Sequence, residues 1–416
     1  MSALASTHHA ELAATTPLEE LDVSDPALYR DDVWQPYFAR LRREAPVHHC
    51  RNGMFGPYWS ISTYKEIVQA ELLHKVLSSE SALGGISIRD RPADLRLPMF
   101  IAMDPPRHDE QRRAVQPIVA PANLAKLEHL IRERACRILD ELPRNETFNW
   151  VDKVSVELTV QMLATLFDFP QEERRKLSYW SDCATALPMP GGIIETEEQR
   201  EAVFAEMLAS FMGLWNARVN AEPGNDLISM LAHAPATRHM SPREFMGNLV
   251  LLIVGGNDTT RNSITGGVLF LNQNPEEYAK LRANPALVES MVPEIIRYQT
   301  PIAHMRRTAI ADVEFAGHTI REGDKVVMWY ISGNRDEAAI EQPDRFIIDR
   351  KRPRQHLSFG FGIHRCVGNR LAELQLTILW QEILKRFDRI EVVGPEKRVH
   401  STFIHGITEL PVRIPA

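Results

Sequence analysis

Cysteine is scarce in this sequence: four among 416 residues, at positions 50, 136, 183 and 366, with no CxxC pair. That argues against a disulfide-stapled scaffold, a cysteine zinc site and a dithiol redox pair. Long apolar runs are lacking as well. The longest, Leu249–Val254, falls far short of the ~18 residues a membrane-spanning helix needs. The opening residues Met1–His9 carry neither a basic start nor an apolar core, so no signal peptide is expected. Basic residues are outnumbered: 48 Lys and Arg against 55 Asp and Glu leave a net charge of −7, which argues against nucleic acid as a general partner. The sequence holds no Gly-x-Gly-x-x-Gly dinucleotide loop and no ferredoxin-like cysteine run. What is present, 44% hydrophobic and 25% charged residues, is ordinary globular composition for a chain able to bury a large core. A reduced, cytoplasmic globular protein is the expectation.

Length alone allows two or three domains, but no linker separates two regimes of composition, and there is no internal repeat. Residues 1–20, small and polar, read as a mobile N-terminal arm. From Tyr37 onward helical periodicity dominates, with strand-like runs at Tyr58–Ile61, Val313–Phe315 and Lys325–Trp329. Residues 84–100 read as a long irregular loop, of a length that often serves function, and residues 187–194 as a second break. The expectation is one large, mainly helical domain with minor β structure over residues 21–416.

One helix stands out. Ser241-Pro242-Arg243-Glu244 combines an N-cap, a proline in the first turn and a capping-box glutamate. Apolar periodicity runs from there to Pro275, predicting a helix of over thirty residues, about 242–273. Its centre, Gly255-Gly256-Asn257-Asp258-Thr259-Thr260, interrupts the apolar pattern and predicts a local bulge. Three readings stand: two helices joined by a Gly-Gly turn, a phosphate loop lacking its Lys-Ser/Thr ending, or one helix with an acid and an alcohol poised for proton transfer.

The segment Phe359-Gly360-Phe361-Gly362-Ile363-His364-Arg365-Cys366-Val367-Gly368-Asn369 frames one cysteine with three glycines, which permit close approaches that side chains would block. A buried amphipathic helix follows from Val367, so Cys366 sits where helix N–H groups favour thiolate over thiol. Such a thiolate suits a haem iron ligand. A nucleophilic cysteine is the rival reading, although no companion His/Asn signature is evident. Cys50, Cys136 and Cys183 read as core residues.

Phe359–Gly368 matches the haem-binding loop of the cytochrome P-450 superfamily, and the chain resembles that family from about residue 20 to its C-terminus. Gly255–Thr260 is similar to the family's oxygen-activation stretch, and Glu294-Ile295-Ile296-Arg297 to its Glu-x-x-Arg pair. Pro343-Asp344-Arg345-Phe346 follows, and His108 and Arg112 match the early haem-contact helix. The resemblance implies the cytochrome P-450 fold, a single helical domain enclosing haem b. It implies Cys366 as the iron's thiolate ligand, and Phe359, Gly360 and Gly368 as the shape of its loop. His108, Arg112, Arg306 and His364 are implied as partners of the haem propionates, for which guanidinium forks are well suited. Glu294 and Arg297, i,i+3 neighbours able to pair, are implied to form a structural network with Arg345. Pro293 departs from the pattern and predicts a kink or break just before Glu294.

The implied activity is that of a monooxygenase: O2 as co-substrate, an alcohol made from an unactivated C–H bond, and water as by-product. Asp258 and Thr259 would deliver protons, while Gly255 and Gly256 leave room for O2 and substrate. Electrons would come from a ferredoxin and an NAD(P)H-dependent ferredoxin reductase. Arg350-Lys351-Arg352-Pro353-Arg354, with Arg112, Arg113 and Arg365, would dock the acidic ferredoxin; a solvated basic loop is the plain alternative. The substrate lining implied is Leu83, Phe100, Leu251, Ile302, Met305 and Phe403, all apolar, so a hydrophobic substrate with no ionic anchor is expected. Residues 294–309 and 255–262 look most like bacterial hydroxylases of the terminal carbons of alkanes and fatty acids. Relatives acting on sterol, branched-lipid or terpenoid side chains share much of the pattern. The protein is expected to be a monomer with no membrane span. A non-catalytic haem sensor or electron carrier would need neither the acid–alcohol pair nor the apolar pocket.

Overall fold

The N-cap at Ser241 acts as its sequence predicts, while the Glu244 carboxylate accepts from Gln111 and Arg107 instead of closing the box. In the computed structural model, which describes residues 3–416, Ser241 Oγ accepts the Glu244 N–H at 3.2 Å and the helix runs unbroken over Pro242–Gln273. At 1.5 Å per residue these 32 residues span about 48 Å. The Gly-Gly turn and the expected bulge are both overturned: residues 255–260 are helical throughout. Thr259 Oγ1 caps the Gly255 carbonyl at 2.9 Å, so the polar centre satisfies its own backbone. Further along, Gly267 lets two neighbouring helices, Val288–Gln299 and Asn369–Arg386, pack closely. A Cβ there would lie 2.9 Å from Ile295 and 3.0 Å from Trp380.

Around this central helix lies the largest apolar core, anchored by Trp150, Trp180 and Trp380. A smaller core joins Leu21–Leu41 to Trp329, and a third lies under the main sheet. That sheet has five strands in the order Val47–Cys50, Tyr58–Ile61, Lys325–Met328, Met305–Ala309, Leu77–Ser78. All neighbours are antiparallel except Tyr58–Ile61 with Lys325–Met328. The expected strand at Val313–Phe315 forms a hairpin with His318–Ile320. The architecture is a single mainly helical domain with minor sheet. No described helix is long and apolar enough to cross a membrane.

Three expectations change. Residues 1 and 2 of the expected arm lie outside the described residues, but Ala3–Thr15 is a helix beside Gln35–Glu44. Arg40 Nη1 holds its end through the carbonyls of Ala13 (2.8 Å) and Thr16 (2.5 Å). Pro293 does not break its helix, which covers Val288–Gln299. The proline forfeits one backbone bond, and the next turn is over-determined. Glu294 accepts from Arg297 Nε and Nη2 (both 2.8 Å), the Ile347 N–H (2.9 Å) and Arg350 Nε (2.9 Å). Arg297 Nη1 also donates to the carbonyls of Asn334 (2.7 Å) and Pro343 (2.8 Å). The network's second arginine is thus Arg350, not Arg345. Arg345 is exposed, its side chain bonded to Gln342, and it offers the network only its carbonyl.

Candidate active site

One cavity of about 400 Å³ is walled by the central helix, the cysteine loop, the loop 84–100 and the C-terminal segment 401–403. Cys366 lies on its wall. The cysteine N–H donates to the Phe359 carbonyl at 2.8 Å, closing the loop on itself. Gly360 and Gly362 take φ of +67° and +65°, and a Cβ at Gly362 would meet the Glu71 carbonyl at 2.9 Å. Only glycine fits that turn. The helix Asn369–Arg386 starts just beyond, with the Gly368 and Asn369 N–H groups on the sulfur. Cys366 is exposed by area yet enclosed by protein, because its free face opens on the cavity. Burial pushes this thiol up, while the Gly368 N–H, Arg112 and Arg365 favour the thiolate. Of the other cysteines, Cys50 and Cys183 are core residues as expected, whereas Cys136 is half-buried and donates to Glu382 at 3.4 Å.

On one side of the cavity sit His108, Arg112, Arg307 and His364. The two imidazoles meet edge to face at 4.3 Å. His108 Nδ1 is 2.7 Å from Asp109 and His364 Nε2 is 3.0 Å from Ser79 Oγ, but His108 Nε2 and His364 Nδ1 have no protein partner. Burial holds both rings below their ordinary pKa, His364 down to about 2 with Arg307, His108 and Arg112 adding to the effect. Arg112 Nη2 donates to the Arg365 carbonyl at 2.5 Å, and Arg307 Nη2 to Glu71 Oε2 at 2.7 Å. Two guanidiniums, together with His364 Nδ1, which donates when Nε2 accepts the Ser79 hydroxyl, form a donor set suited to a pair of carboxylates; His108 spends its N–H on Asp109 and donates from Nε2 only once a nearby anion has drawn a second proton onto the ring. Together with the cavity-facing cysteine, they fit a haem and its propionates.

Arg306 is not part of this set. In the strand Met305–Ala309 alternate residues face opposite ways: Met305 and Arg307 line the cavity, and Arg306 turns away. It pairs with Asp90 at 2.5 Å and donates to the Leu83 carbonyl at 3.1 Å. Strand parity was the available signal, since Met305 and Arg306 cannot share a face. Leu83 is corrected too: it ends a surface turn, 42% exposed, and lies outside the lining. Phe100, Leu251, Ile302, Met305 and Phe403 do line the cavity, as do Phe359, Gly360, Gly368, Gly255 and Gly256.

Asp258 and Thr259, adjacent in sequence, diverge by about 100° around the helix. Thr259 lines the cavity. Asp258 is fully buried behind it, accepting from Ser181 Oγ (3.0 Å), Asn257 Nδ2 (3.0 Å) and Thr185 Oγ1 (3.4 Å), with Arg261 at 3.0 Å. Burial pushes this carboxyl up despite Arg261. Thr185, which sequence reasoning missed, both bonds Asp258 and lines the cavity. The expectation of a pocket without ionic groups also fails: Arg89, Arg91 and Arg96 of the loop line it.

The basic cluster is smaller than its sequence suggests. Arg350 is buried against Glu294, and Arg354 bonds Glu373 at 2.8 Å. Lys351, Arg352, Arg113 and Arg365 remain exposed, and Arg112 is half-buried at the cavity.

Comparison with known proteins agrees with this geometry. The family model for cytochrome P450 matches residues 145–412. The chain is 36% identical to linalool 8-monooxygenase of Pseudomonas putida, over 95% of this chain and 99% of that protein. It is 31% identical to a methyl-branched lipid omega-hydroxylase of Mycobacterium tuberculosis, over 95% of this chain and 96% of the relative. Among solved structures, cytochrome P450-153 from Novosphingobium aromaticivorans superposes with a TM-score of 0.90 at 48% identity, covering 95% of this chain and 99% of that one.

Proposed function

The chain belongs to the cytochrome P450 family of haem-thiolate monooxygenases, which take electrons from a redox partner, and on that premise we propose that it hydroxylates terminal carbons of medium-chain alkanes, fatty acids or related apolar compounds. The observation that carries this reading is the single cavity that brings Cys366, Thr259 and the apolar residues Phe100, Leu251 and Phe403 together. The names of two relatives, a linalool 8-monooxygenase and a lipid omega-hydroxylase, support attack near a chain end. The first also keeps terpenoid side chains as the second reading, beside sterol and branched-lipid ones.

In this reading residues 21–416 form the haem domain. Cys366 supplies the thiolate, and His108, Arg112, Arg307 and His364 hold the propionates. The bound haem supplies O2 activation and C–H oxidation. The chain's own residues orient the substrate and admit protons. Thr259 places its hydroxyl at the cavity wall, and its proton rests on the Gly255 carbonyl between uses. Asp258 lies behind the wall and is linked to the cavity through the Thr185 hydroxyl, the route by which it relays protons. Apolar walls exclude bulk water, which keeps that supply controlled. Electrons come from a ferredoxin and an NAD(P)H-dependent reductase in the cytoplasm, and Arg113, Lys351, Arg352 and Arg365 form the basic docking face of a monomer.

The decisive measurement is the carbon monoxide difference spectrum of the reduced protein beside Cys366→Ser, followed by product analysis on alkanes, fatty acids and linalool. A wild type without the haem-thiolate band, or a variant that keeps it, sinks the assignment. Oxidation at interior carbons alone sinks the terminal reading.

A further inference from the structure

The cavity is apolar at its centre but not at its margin. Arg89, Arg91 and Arg96, all from the loop 84–100, line it opposite the helix end that carries Ala184 and Thr185. Arg200 and Arg243 stand behind them. Four guanidiniums, Arg89, Arg91, Arg200 and Arg243, therefore converge, and the carboxylates that pair with them are two, Glu197 and Glu201. Glu197 is occupied twice, by Arg200 in a bidentate contact (3.0 and 2.9 Å) and by Arg89. Glu201 reaches only Arg243, at 3.4 Å. Arg96 spends its donors on the carbonyls of Arg91 and Ala82.

Arg91 is left over. Among the described residues it forms no ion pair, and its side chain reaches one hydrogen-bond partner, the Ala184 carbonyl, at 3.4 Å. Burial pulls its guanidinium below its ordinary value; Glu197 and Glu201 oppose that effect, while Arg89 and Arg243 add to it. This half-buried cation lines the cavity with most of its five donors unspent, free to meet an anionic ligand there. Its geometry favours a planar, bidentate acceptor.

We propose that Arg91 binds the carboxylate of a straight-chain acid whose apolar tail runs along the cavity toward Cys366, making this enzyme one that prefers acids over the equivalent neutral chains. The inference rests on the haem-site reading above and names the substrate class of that site. Carboxylate recognition at one end leaves the other end of the chain for oxidation, which ties head-group binding to terminal attack. Arg91 makes no bond to any residue of the cysteine loop, so it acts on binding and placement rather than on the reacting atoms.

The test uses the haem-loaded protein and titrates dodecanoic acid, methyl dodecanoate and dodecane, following the haem spin-state change. The acid is expected to bind about 10-fold more tightly than its ester, a difference of about 1.4 kcal/mol. In Arg91→Gln the ester-to-acid ratio of Kd falls to about 1, whereas Arg91→Lys retains part of it. Equal binding of acid and ester by wild type, or an unchanged ratio in Arg91→Gln, overturns the proposal. Since the wild-type comparison needs no variant, misfolding of Arg91→Gln cannot rescue it. If none of the three ligands shifts the spectrum and the carbon monoxide band is absent, the haem-site reading falls instead. A normal response to dodecane with no acid preference removes the anchor alone.

Discussion

Replacing Arg307 by glutamine separates two jobs that one side chain performs. Arg307 is 3% exposed and its partner Glu71 is 1% exposed, with Nη2 and Oε2 2.7 Å apart. Tyr330, also buried, bonds the second Glu71 oxygen. Removing the cation strands a buried carboxylate, at a cost of about 3–5 kcal/mol. Taking ~2.1 cal/mol/K per residue, unfolding of a chain this long has an entropy of about 0.9 kcal/mol/K, so Tm should fall by about 4 °C. Loss of a charge-assisted bond to a propionate, about 1.5–3 kcal/mol, should loosen haem by one to two orders of magnitude. Haem transfer to an apomyoglobin acceptor measures that. The double variant Arg307→Gln/Glu71→Gln removes both charges and should regain most of the lost stability while still releasing haem quickly. Arg306→Gln is the control: Arg306 is buried, but its partner Asp90 is 52% exposed and keeps Lys325, so no buried charge is stranded and haem transfer is unchanged. Fast haem release from Arg306→Gln with retention in Arg307→Gln would refute the strand-parity assignment.

Other outcomes follow from the same contacts. Glu294→Gln turns an oxygen that accepts from buried donors into a donor, so it should cost about 3–5 kcal/mol, against under about 0.5 kcal/mol for exposed Arg345→Gln, both read by thermal unfolding. Gly247→Ala puts a Cβ 2.0 Å from the Pro98 carbonyl oxygen and should destabilise by about 1–3 kcal/mol. Gly255→Ala meets nothing within 4 Å and should stabilise by up to about 1 kcal/mol while narrowing the substrate cavity, weakening substrate titrations. Thr185→Val removes the hydroxyl between Asp258 and the cavity; product per NAD(P)H should fall several-fold with substrate Kd unchanged, and intact coupling would remove Thr185 from the route. His304 accepts the Ile88 N–H at 3.0 Å and faces the Thr402 carbonyl at 2.9 Å, with burial lowering its pKa to about 4. The unfolded chain binds a proton that the folded one refuses, so this stability is full above about pH 6.5 and is lost, up to about 3 kcal/mol, as pH falls toward 4. Denaturation of His304→Gln across pH 4–7 should show a slope shallower by about one proton.

Local signals were legible in the sequence where a short stretch determines its own structure. The N-cap at Ser241 and the stop near Pro275 gave the central helix almost to the residue, because caps act within four positions. The glycine frame around Cys366 was equally readable, since positive φ at Gly360 and Gly362 is a local demand. Misplaced residues had roles set from far away. Arg350 rather than Arg345 reaches Glu294, fifty-six residues earlier, and nothing in either local pattern separates them. Arg306 and Arg307 differ only by strand parity. Asp258 and Thr259 were treated as a pair because they adjoin in sequence, although a helix turns neighbours apart. Nothing local marks Arg91, because its surroundings, Ala184 and Glu197, come from residues about a hundred positions away.

The loop 84–100 is fastened at both ends. His304 holds the Ile88 N–H, Arg306 and Lys325 hold Asp90, and Asn248 holds the Phe100 N–H at 3.0 Å. Residues 91–96 are tied between these points by arginine side chains, with Arg243 gripping the carbonyls of Asp94 and Arg96, and Leu97 is seated in the main core. The stretch held by side chains rather than by backbone bonds to neighbouring elements is thus the one that bears Arg91. On the proposal above, a hydroxylated acid must break its contact with Arg91 before it leaves. Residence time and turnover then pull against each other for acids, while a neutral chain departs with no such contact to break.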